Sequence, residues 1–362
     1  MKMNSLYFNH QLGSRFTSLQ ERAIREAYLT LYAFVGALQE DHFIFTSSAA
    51  EAVSHAVFAA YLDITRKTGK NHFLCTALDE APAIMAMSRL QELSCMFQMV
   101  PAGSDCQITT KAVAEMFTPR TAMFSISAAN GLTGVVQPLF EIGELCRERG
   151  VLFHVDATHM LGKSDFTFAE SGADLLSFSS PYGGAGGLFI RAGREISPLI
   201  LGGNEQGGLR GGAFNISALI EFAKWAKEER AHVDHYCIEI ARLRSLFEAE
   251  LCAKIPFAKP LFQEQRRVPH ITSFLFPWVT SDALFYLLNQ KGVYATFGGN
   301  QLQHFSHILK ACGIQEPDCH TAMSFAFSPM TTEEEIEKGV AIVAEATGQL
   351  LKYSKNIMKR IS

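Results

Sequence analysis

Several features are scarce in this sequence of 362 residues, and each absence excludes a class of protein. No uninterrupted apolar run reaches the roughly 18 residues of a membrane-spanning helix, and we expect no signal peptide because polar residues interrupt the first apolar ones. The 32 lysines and arginines nearly balance the 36 aspartates and glutamates, which argues against a basic surface for nucleic acid or an anionic membrane. We therefore predict a cytoplasmic protein with no nucleic-acid and no membrane partner.

The eight cysteines are scattered and form no C-x-x-C pair. In a chain this long, such usage indicates reduced thiols that fill core positions. Cys312, Cys319 and His320 can be imagined as metal ligands, but plain core residues are the favoured interpretation, so no metal site is predicted. The composition is 48% hydrophobic, which supplies a large core, and the length allows two domains.

Short apolar segments alternate with amphipathic ones in the first part of the chain. The alternation predicts parallel strands joined by right-handed helical crossovers, and hence an α/β sandwich. Strands without polar alternation are typical of a sheet that is covered on both faces. Strands are predicted at 42–45, 72–76, 96–100, 122–126, 151–155, 175–178 and 187–190, and helices at 14–38, 49–67, 80–93, 110–116 and 140–149.

The pattern changes near residue 215, where a long connecting helix is predicted over 215–253. The remaining segments predict a smaller α+β domain, with a basic, solvated tail from 352. Its predicted strands are 271–276, 293–297 and 322–327, and its predicted helices are 282–290, 302–311 and 332–351. We therefore divide the chain into an N-terminal segment 1–13, a large domain 14–225 and a small domain 226–362.

Seven segments carry a family resemblance in their order and spacing. They are FTSSAAEA at 45–52, GLTGVVQP at 131–138, FHVDATH at 153–159, GADLLSFS at 172–179, GGNEQG at 202–207, LRGG at 209–212 and TTEEEI at 331–336. Together they resemble the class V aminotransferase family of fold-type I pyridoxal-phosphate proteins, and within it the NifS-type cysteine desulfurases. The resemblance implies a large domain with a mostly parallel seven-stranded sheet between helices, a smaller C-terminal α+β domain, and a homodimer.

The resemblance also implies a cofactor site. Asp156 ends an apolar strand, which is where α/β sheets place ligands, and in the family this carboxylate faces the pyridinium nitrogen. The alternative is a carboxylate that caps the following turn. His159 corresponds to the residue beside the 3-hydroxyl. The backbone amides of Ser47, Ser48 and Ala49 would hold the phosphate at a helix N-terminus, although Ala50 lacks the expected hydroxyl. The other implied cofactor-binding residues are Asn130, Ser177 and Ser179.

The lysine that would form the Schiff base is absent. Relatives carry it in a Ser-Phe-Ser-Gly-His-Lys run, whereas this chain has a shortened loop with Tyr182 near that position. No lysine occurs between Lys163 and Lys224, and Lys163 belongs to a separate family position. We therefore expect no covalent attachment of pyridoxal phosphate, and its binding is open to question.

Other reactive positions differ from the family pattern. The expected stacking histidine is Glu80, the expected carboxylate-binding arginine is Ser324, and the expected partner-subunit threonine is Ala213. The segment 295–301 around Gly298 contains no cysteine to accept sulfur, and Cys312 corresponds to an ordinary apolar helix position. Arg210 remains as a weak candidate for substrate binding, although a structural ion pair is favoured.

Three functions are compatible with these observations. We predict a pseudoenzyme without desulfurase activity that has a binding or regulatory role, with an iron–sulfur assembly factor or an active paralogue as a speculative partner. The first alternative is an active pyridoxal-phosphate enzyme, a desulfurase or a related lyase or transferase, with an atypical site. The second is a protein that binds another small anion in the vestigial pocket, with Arg210 and the loop amides as donors.

Overall fold

The computed structural model describes residues 15–213, 215–299 and 303–361. The chain divides into two compact units. The first unit runs to Val100 and also includes Thr109–Ala128 and Pro138–Ala231, and the second comprises Pro101–Ile108, Ala129–Gln137 and the chain from His232. The predicted N-terminal segment 1–13 and residues 300–302 of the predicted cysteine-loop segment and helix lie outside the described residues.

The first unit alternates helices and strands as the sequence predicts. Its elements are α1 (Arg15–Val35), β1 (His42–Thr46), α2 (Ala49–Ala60), α3 (Arg66–Thr68), β2 (His72–Thr76), α4 (Ala81–Arg89), β3 (Met96–Val100), α5 (Thr110–Met116), β4 (Thr121–Ser127), α6 (Leu139–Arg149), β5 (Leu152–Asp156), β6 (Leu175–Ser179), β7 (Gly186–Ile190) and α7 (Ile216–Ala231). The segment predicted as one helix over 49–67 is interrupted by a π-helical turn at Tyr61–Thr65.

The seven strands form one sheet in the order β1-β7-β6-β5-β4-β2-β3, which confirms the predicted α/β fold with a mostly parallel sheet. Strand β7 is antiparallel to both of its neighbours, β1 and β6. The β6–β7 connection is too short for a helical crossover, and a connection of that length joins only antiparallel strands. Fully buried aromatic rings such as Phe43, Phe178 and Phe189 pack against one another beside the sheet.

The second unit has a small antiparallel sheet in the order β10-β9-β8, with helices around it. Its elements are α8 (Val233–His235), α9 (Ala241–Lys254), β8 (Lys259–Pro260), β9 (Ile271–Leu275), α10 (Ser281–Gln290), α11 (Phe305–Ala311), β10 (Ala322–Ala326) and α12 (Glu333–Ile361). Its core is the set of buried residues around Phe274, Phe276 and Phe325. The predicted cap of the last helix is confirmed, because Thr332 and Glu335 exchange backbone and side-chain hydrogen bonds as a capping box.

Three predictions for this part of the chain are wrong. Residues 293–297 form no strand but a single bridge, Thr296 to Ser324, because the chain turns away at Gly298, whose φ is +99°. The helix predicted over 215–253 is interrupted at His232 and by a π-helical turn at Tyr236–Ile240. The last helix continues to Ile361, into the predicted solvated tail. Among the described residues, no helix combines the length and the apolarity that crossing a membrane requires.

Candidate functional site

Polar residues line the edge of the main sheet at which the parallel strands end. Ser127 of β4 lies beside Asp156 of β5, and Asp156 lies beside Ser177 of β6 in the strand register. On the other side of β6, Ser179 pairs with Gly186, which also pairs with Thr46 of β1. Because ligands of α/β proteins bind at this edge, this row is the candidate site.

Asp156, His159 and Glu80 form the charged centre of the site. His159 Nε2 lies 3.4 Å from Glu80 Oε1. Burial raises the pKa of Asp156, against the hydrogen bond that its Oδ1 accepts from the Thr158 amide at 3.0 Å. Burial alone would lower the pKa of His159, but the Glu80 and Asp156 carboxylates raise it overall. Protonation of His159 is thus favoured by its neighbouring carboxyl groups, and protonation of Asp156 is favoured by its burial.

Asp79, which the sequence motifs did not single out, is buried three residues after the end of β2. Its two carboxylate oxygens accept the backbone amides of Thr76, at 2.7 Å, and of Ser127. Burial raises the pKa of Asp79 to about 7 despite these hydrogen bonds. An acidic residue in the turn that follows an apolar strand was the signal that could have located it. Asp79 ties the end of β2 to the end of β4 and adds a third carboxyl group to this edge.

Ser177 is engaged inside the sheet and has no exposed surface. Its Oγ lies 3.1 Å from His154 Nε2, and His154 Nδ1 lies 2.8 Å from Ser125 Oγ. Burial lowers the pKa of His154 to about 3, so this imidazole is neutral at ordinary pH. The three side chains form a polar cross-strand chain over β4, β5 and β6.

The loop between β1 and α2 is the segment predicted to hold phosphate, and we call it the cradle. The Ser48 side chain caps α2 by accepting the Glu51 amide at 3.2 Å. The first backbone hydrogen bond inside the helix runs from the Ala52 amide to the Ser48 carbonyl, so the helix amides before Ala52, all within the described residues, have no partner of this kind. The Glu51 carboxylate accepts the Ser47 amide at 2.8 Å and the Arg210 guanidinium at 3.0 Å. Burial would raise the pKa of Glu51, but Arg210 and Ser47 lower it overall. The Glu51 carboxylate therefore already binds Arg210 and the Ser47 amide, which is one of the predicted phosphate donors.

The short loop between β6 and β7 lies beside this cradle. Gly186 begins β7 so close to the backbone of Ser48 that a Cβ at this position would overlap it. Within the loop, the Tyr182 amide donates to Ser180 Oγ at 3.2 Å, and the Tyr182 side chain is 86% exposed. The position nearest to the expected lysine thus points into solvent.

The lysines of the described first unit are all engaged or exposed elsewhere. Lys163 forms an ion pair with Glu229 of α7, and burial lowers the pKa of Lys163 to about 8. The others are Lys67, paired with Asp63; Lys70, bound to the Gly150 carbonyl; Lys111, paired with Glu115; and Lys224 and Lys227, exposed on α7.

Two further predicted positions belong to the second unit. The buried Asn130 side chain accepts the amides of Leu132 and Thr133, at 3.0 and 2.9 Å, and so shapes the turn that follows it. Ser324 is buried in β10, where it pairs with Ser273 of β9. Their roles toward a cofactor or a substrate, like those of Asp156, His159, Ser47, Ser48, Ala49, Ser177 and Ser179, stay predictions.

Comparison with known proteins identifies the family. Residues 4–338 match the family model described as aminotransferase class-V. The chain belongs to this family. A cysteine desulfurase of Nostoc sp. is 29% identical over 352 residues, which cover 95% of this chain and 84% of that protein. A cysteine desulfurase of Azotobacter vinelandii, named NifS, is 27% identical over 364 residues, which cover 96% and 89%.

Solved structures show that this member of the class V aminotransferase family has the fold of NifS-like proteins. One NifS-like protein superimposes with a TM-score of 0.84 at 23% identity, covering 94% of this chain and 92% of that chain. Another, from Rickettsia africae, gives a TM-score of 0.80 at 18% identity, covering 95% and 92%. At these identities the likeness defines the fold.

The family implies pyridoxal phosphate, and the residues fit this cofactor only in part. The half-buried Asp156 at the strand end fits a protonated ring nitrogen, which would let the bound cofactor act as an electron sink. The phosphate end fits less well, because the Glu51 carboxylate already accepts an amide of the cradle. The covalent link does not fit, because the Ser179–Gly186 loop has no lysine and Lys163 is paired with Glu229. No step that requires a lysine amine can be assigned.

Proposed function

We propose that this class V aminotransferase family protein is a pseudoenzyme that does not desulfurate cysteine and instead has a binding or regulatory role. The observation that carries the proposal is the loop between Ser179 and Gly186. It connects adjacent strands, contains no lysine, and exposes Tyr182 to solvent. Without a lysine amine, the site has no group to attach the cofactor as an internal Schiff base.

The charged centre supports the same proposal. A pyridine ring in this family stacks on a histidine, whereas here Glu80 occupies the corresponding position and lies 3.4 Å from His159. Three carboxyl groups, Asp79, Glu80 and Asp156, lie near the ends of β2 and β5. Carboxylates repel a phosphate dianion at short range. A further carboxylate, that of Glu51, already accepts an amide of the cradle.

The second unit supports the loss of sulfur transfer in particular. The described residues around Gly298 contain no thiol, and the sequence has none at 295–301. Cys312, the next cysteine along the chain, is buried at the end of α11. Desulfuration needs both a lysine amine to bind the cofactor and a thiol to accept the sulfur. A chain that lacks both groups has no agent for these steps, which is a greater deficit than the loss of one catalytic group. We also propose that the protein forms a homodimer and that its regulatory role is to bind a protein partner in iron–sulfur assembly.

The test is spectroscopic and uses the purified full-length chain with an active NifS-type desulfurase as control. We expect no visible aldimine band that borohydride can reduce after incubation with pyridoxal phosphate, and no sulfide from cysteine. A reducible band together with sulfide release would overturn the proposal. In that case Lys163→Met identifies the amine, because loss of the band in this variant would assign the Schiff base to Lys163.

Spectra and activity can also separate the alternatives. A band that borohydride does not fix to the protein, with no sulfide release, would mean non-covalent cofactor binding and would leave the pseudoenzyme proposal intact. Thermal shift with pyridoxal phosphate and with inorganic phosphate then reports ligand binding, because a ligand of the native state raises the unfolding temperature.

A further inference from the structure

A cluster of three potential metal ligands lies in the second unit, on the turn between α11 and β10. Glu316, Cys319 and His320 each offer one ligand atom, and these atoms all lie within 4.8 Å of one another. Cys319 belongs to a short 3-10 turn, Asp318–His320, that follows Pro317. The turn brings residues at spacings of three and four positions to one side, which is why they meet.

The geometry points to a binding site for a divalent transition metal of the zinc class at Glu316, Cys319 and His320. The distance from His320 Nε2 to Glu316 Oε1 is 3.4 Å. Bond lengths near 2.1 Å at tetrahedral angles place two such ligand atoms about 3.4 Å apart. His320 and Glu316 are joined by a direct hydrogen bond at the separation that a shared metal ion requires.

The chemistry of the donors selects the metal. One thiolate, one imidazole and one carboxylate suit Zn²⁺, Co²⁺ or Fe²⁺, whereas Mg²⁺ and Ca²⁺ prefer oxygen ligands alone. Cys319 is buried with 1% of its surface exposed, while the side chains of His320 and Glu316 are 47% and 62% exposed. A metal would therefore enter from the side of Glu316 and His320 and reach the sulfur at the base of the site.

Two neighbours of the cluster, Lys310 and His304, bear on how it would bind a metal. Lys310 Nζ lies 2.6 Å from Glu316 Oε1, so its ammonium occupies the position of a bound cation and competes with a metal. The His304 ring lies 6.1 Å from the His320 ring between centroids, but its Nδ1 accepts the Ser306 amide at 3.2 Å. That hydrogen bond places the remaining proton on Nε2, so His304 is not a ligand in this tautomer. Three protein ligands and one open position for water follow.

Glu316 was not among the residues weighed from the sequence, where Cys312 was grouped with Cys319 and His320. The described cluster replaces Cys312 with Glu316. The site lies apart in sequence from Asp156 and its neighbours, and it does not depend on the proposed loss of desulfurase activity.

The test is a Co²⁺ titration of the reduced, tag-free full-length chain after chelator treatment. We expect a near-ultraviolet charge-transfer band from thiolate-bound Co²⁺, and its displacement by Zn²⁺. Cys319→Ser should abolish the band, and the exposed substitutions His320→Asn and Glu316→Gln should each weaken binding about tenfold or more. Cys252→Ser, a partly exposed thiol on α9, is the matched control that keeps the band.

Lys310→Met makes the test independent of lost folding, because it should tighten binding by about fivefold once the competing ammonium is gone. Absence of a charge-transfer band in the native chain would overturn the proposal. So would a band that survives in Cys319→Ser, or affinities that His320→Asn and Glu316→Gln leave unchanged.

Discussion

The imidazole of His159 lies 3.4 Å from the carboxylate of Glu80, measured from Nε2 to Oε1. The family resemblance predicts a stacking histidine at the position of Glu80, whereas this chain has a carboxylate there that contacts His159. The Glu80 and Asp156 carboxyl groups raise the pKa of His159, so the contact favours the protonated form of this imidazole.

Glu80→Gln should lower the pKa of His159, because it removes a carboxylate that raises it. A histidine whose folded pKa is raised adds stability that is present below 6.5 and is lost as the pH rises through the folded pKa. The variant should therefore be less stable than the native chain only at acidic pH, by less than about 1 kcal/mol, since both groups are partly exposed. NMR titration of His159 measures the pKa change, and urea unfolding below pH 6.5 and at alkaline pH measures the change in stability. Glu92→Gln, which removes the carboxylate of an exposed pair with Arg89, serves as the control. A His159 pKa that Glu80→Gln leaves unchanged would contradict the prediction.

Asp79→Asn should remove a pH dependence of stability. A carboxyl group whose folded pKa is raised from 3.8 to about 7 makes the folded state less stable as the pH rises through that range. The native chain should therefore lose stability relative to Asp79→Asn as the pH rises from 3.8 to about 7. Urea unfolding of both proteins across this range measures the difference, and parallel curves would refute the prediction.

Arg210→Met should destabilise the protein by about 3 kcal/mol, because it leaves the largely buried Glu51 carboxylate without its cation. The double variant Glu51→Gln with Arg210→Met should recover part of that loss, since no unpaired charge remains. The folded pKa of Glu51 is lowered, so its contribution is present above 4.5 and disappears as the pH falls through the folded pKa. A double-mutant cycle by denaturant unfolding measures the coupling, and additive effects would rule out a stabilising pair.

Gly186→Ala should destabilise the protein by about 3 kcal/mol, because the added Cβ would overlap the backbone of Ser48. Gly339→Ala is the matched control. Gly339 lies in α12 with nothing within 4 Å of its Cβ position, so alanine should stabilise the helix by about 0.5 to 1 kcal/mol. Thermal unfolding of both variants measures the two effects. Equal changes in unfolding temperature would show that the close approach of Gly186 to Ser48 does not destabilise the alanine variant.

Much of the fold follows from local patterns in the sequence. The strand His72–Thr76 and the helix Thr110–Met116 have the predicted bounds, because apolar runs and helical periodicity identify an element without knowledge of its neighbours. The failed strand at 293–297 has strand-forming residues, but its neighbour pairs with it at a single bridge. Strand formation depends on a partner, which a sequence segment does not reveal.

The candidate site divides in the same way. Placing Asp156 at a strand end and finding no lysine between 163 and 224 required only the order of residues. The engagement of Arg210 by Glu51 joins residues 159 positions apart, and Asp79 reaches the amide of Ser127 across 48 positions. Such contacts arise only when the strands assemble and bring distant loops to one edge.

The sequence by itself determined the family, the alternation of strands and helices, and the chemical groups that are available. The tertiary structure decided which of those groups meet. Glu51 pairs with Arg210, and Glu80 pairs with His159, because folding fixes distances that composition and spacing leave open. Since charges interact strongly only over a few ångströms, the chemistry of these pairs depends on those distances and not on residue identity alone.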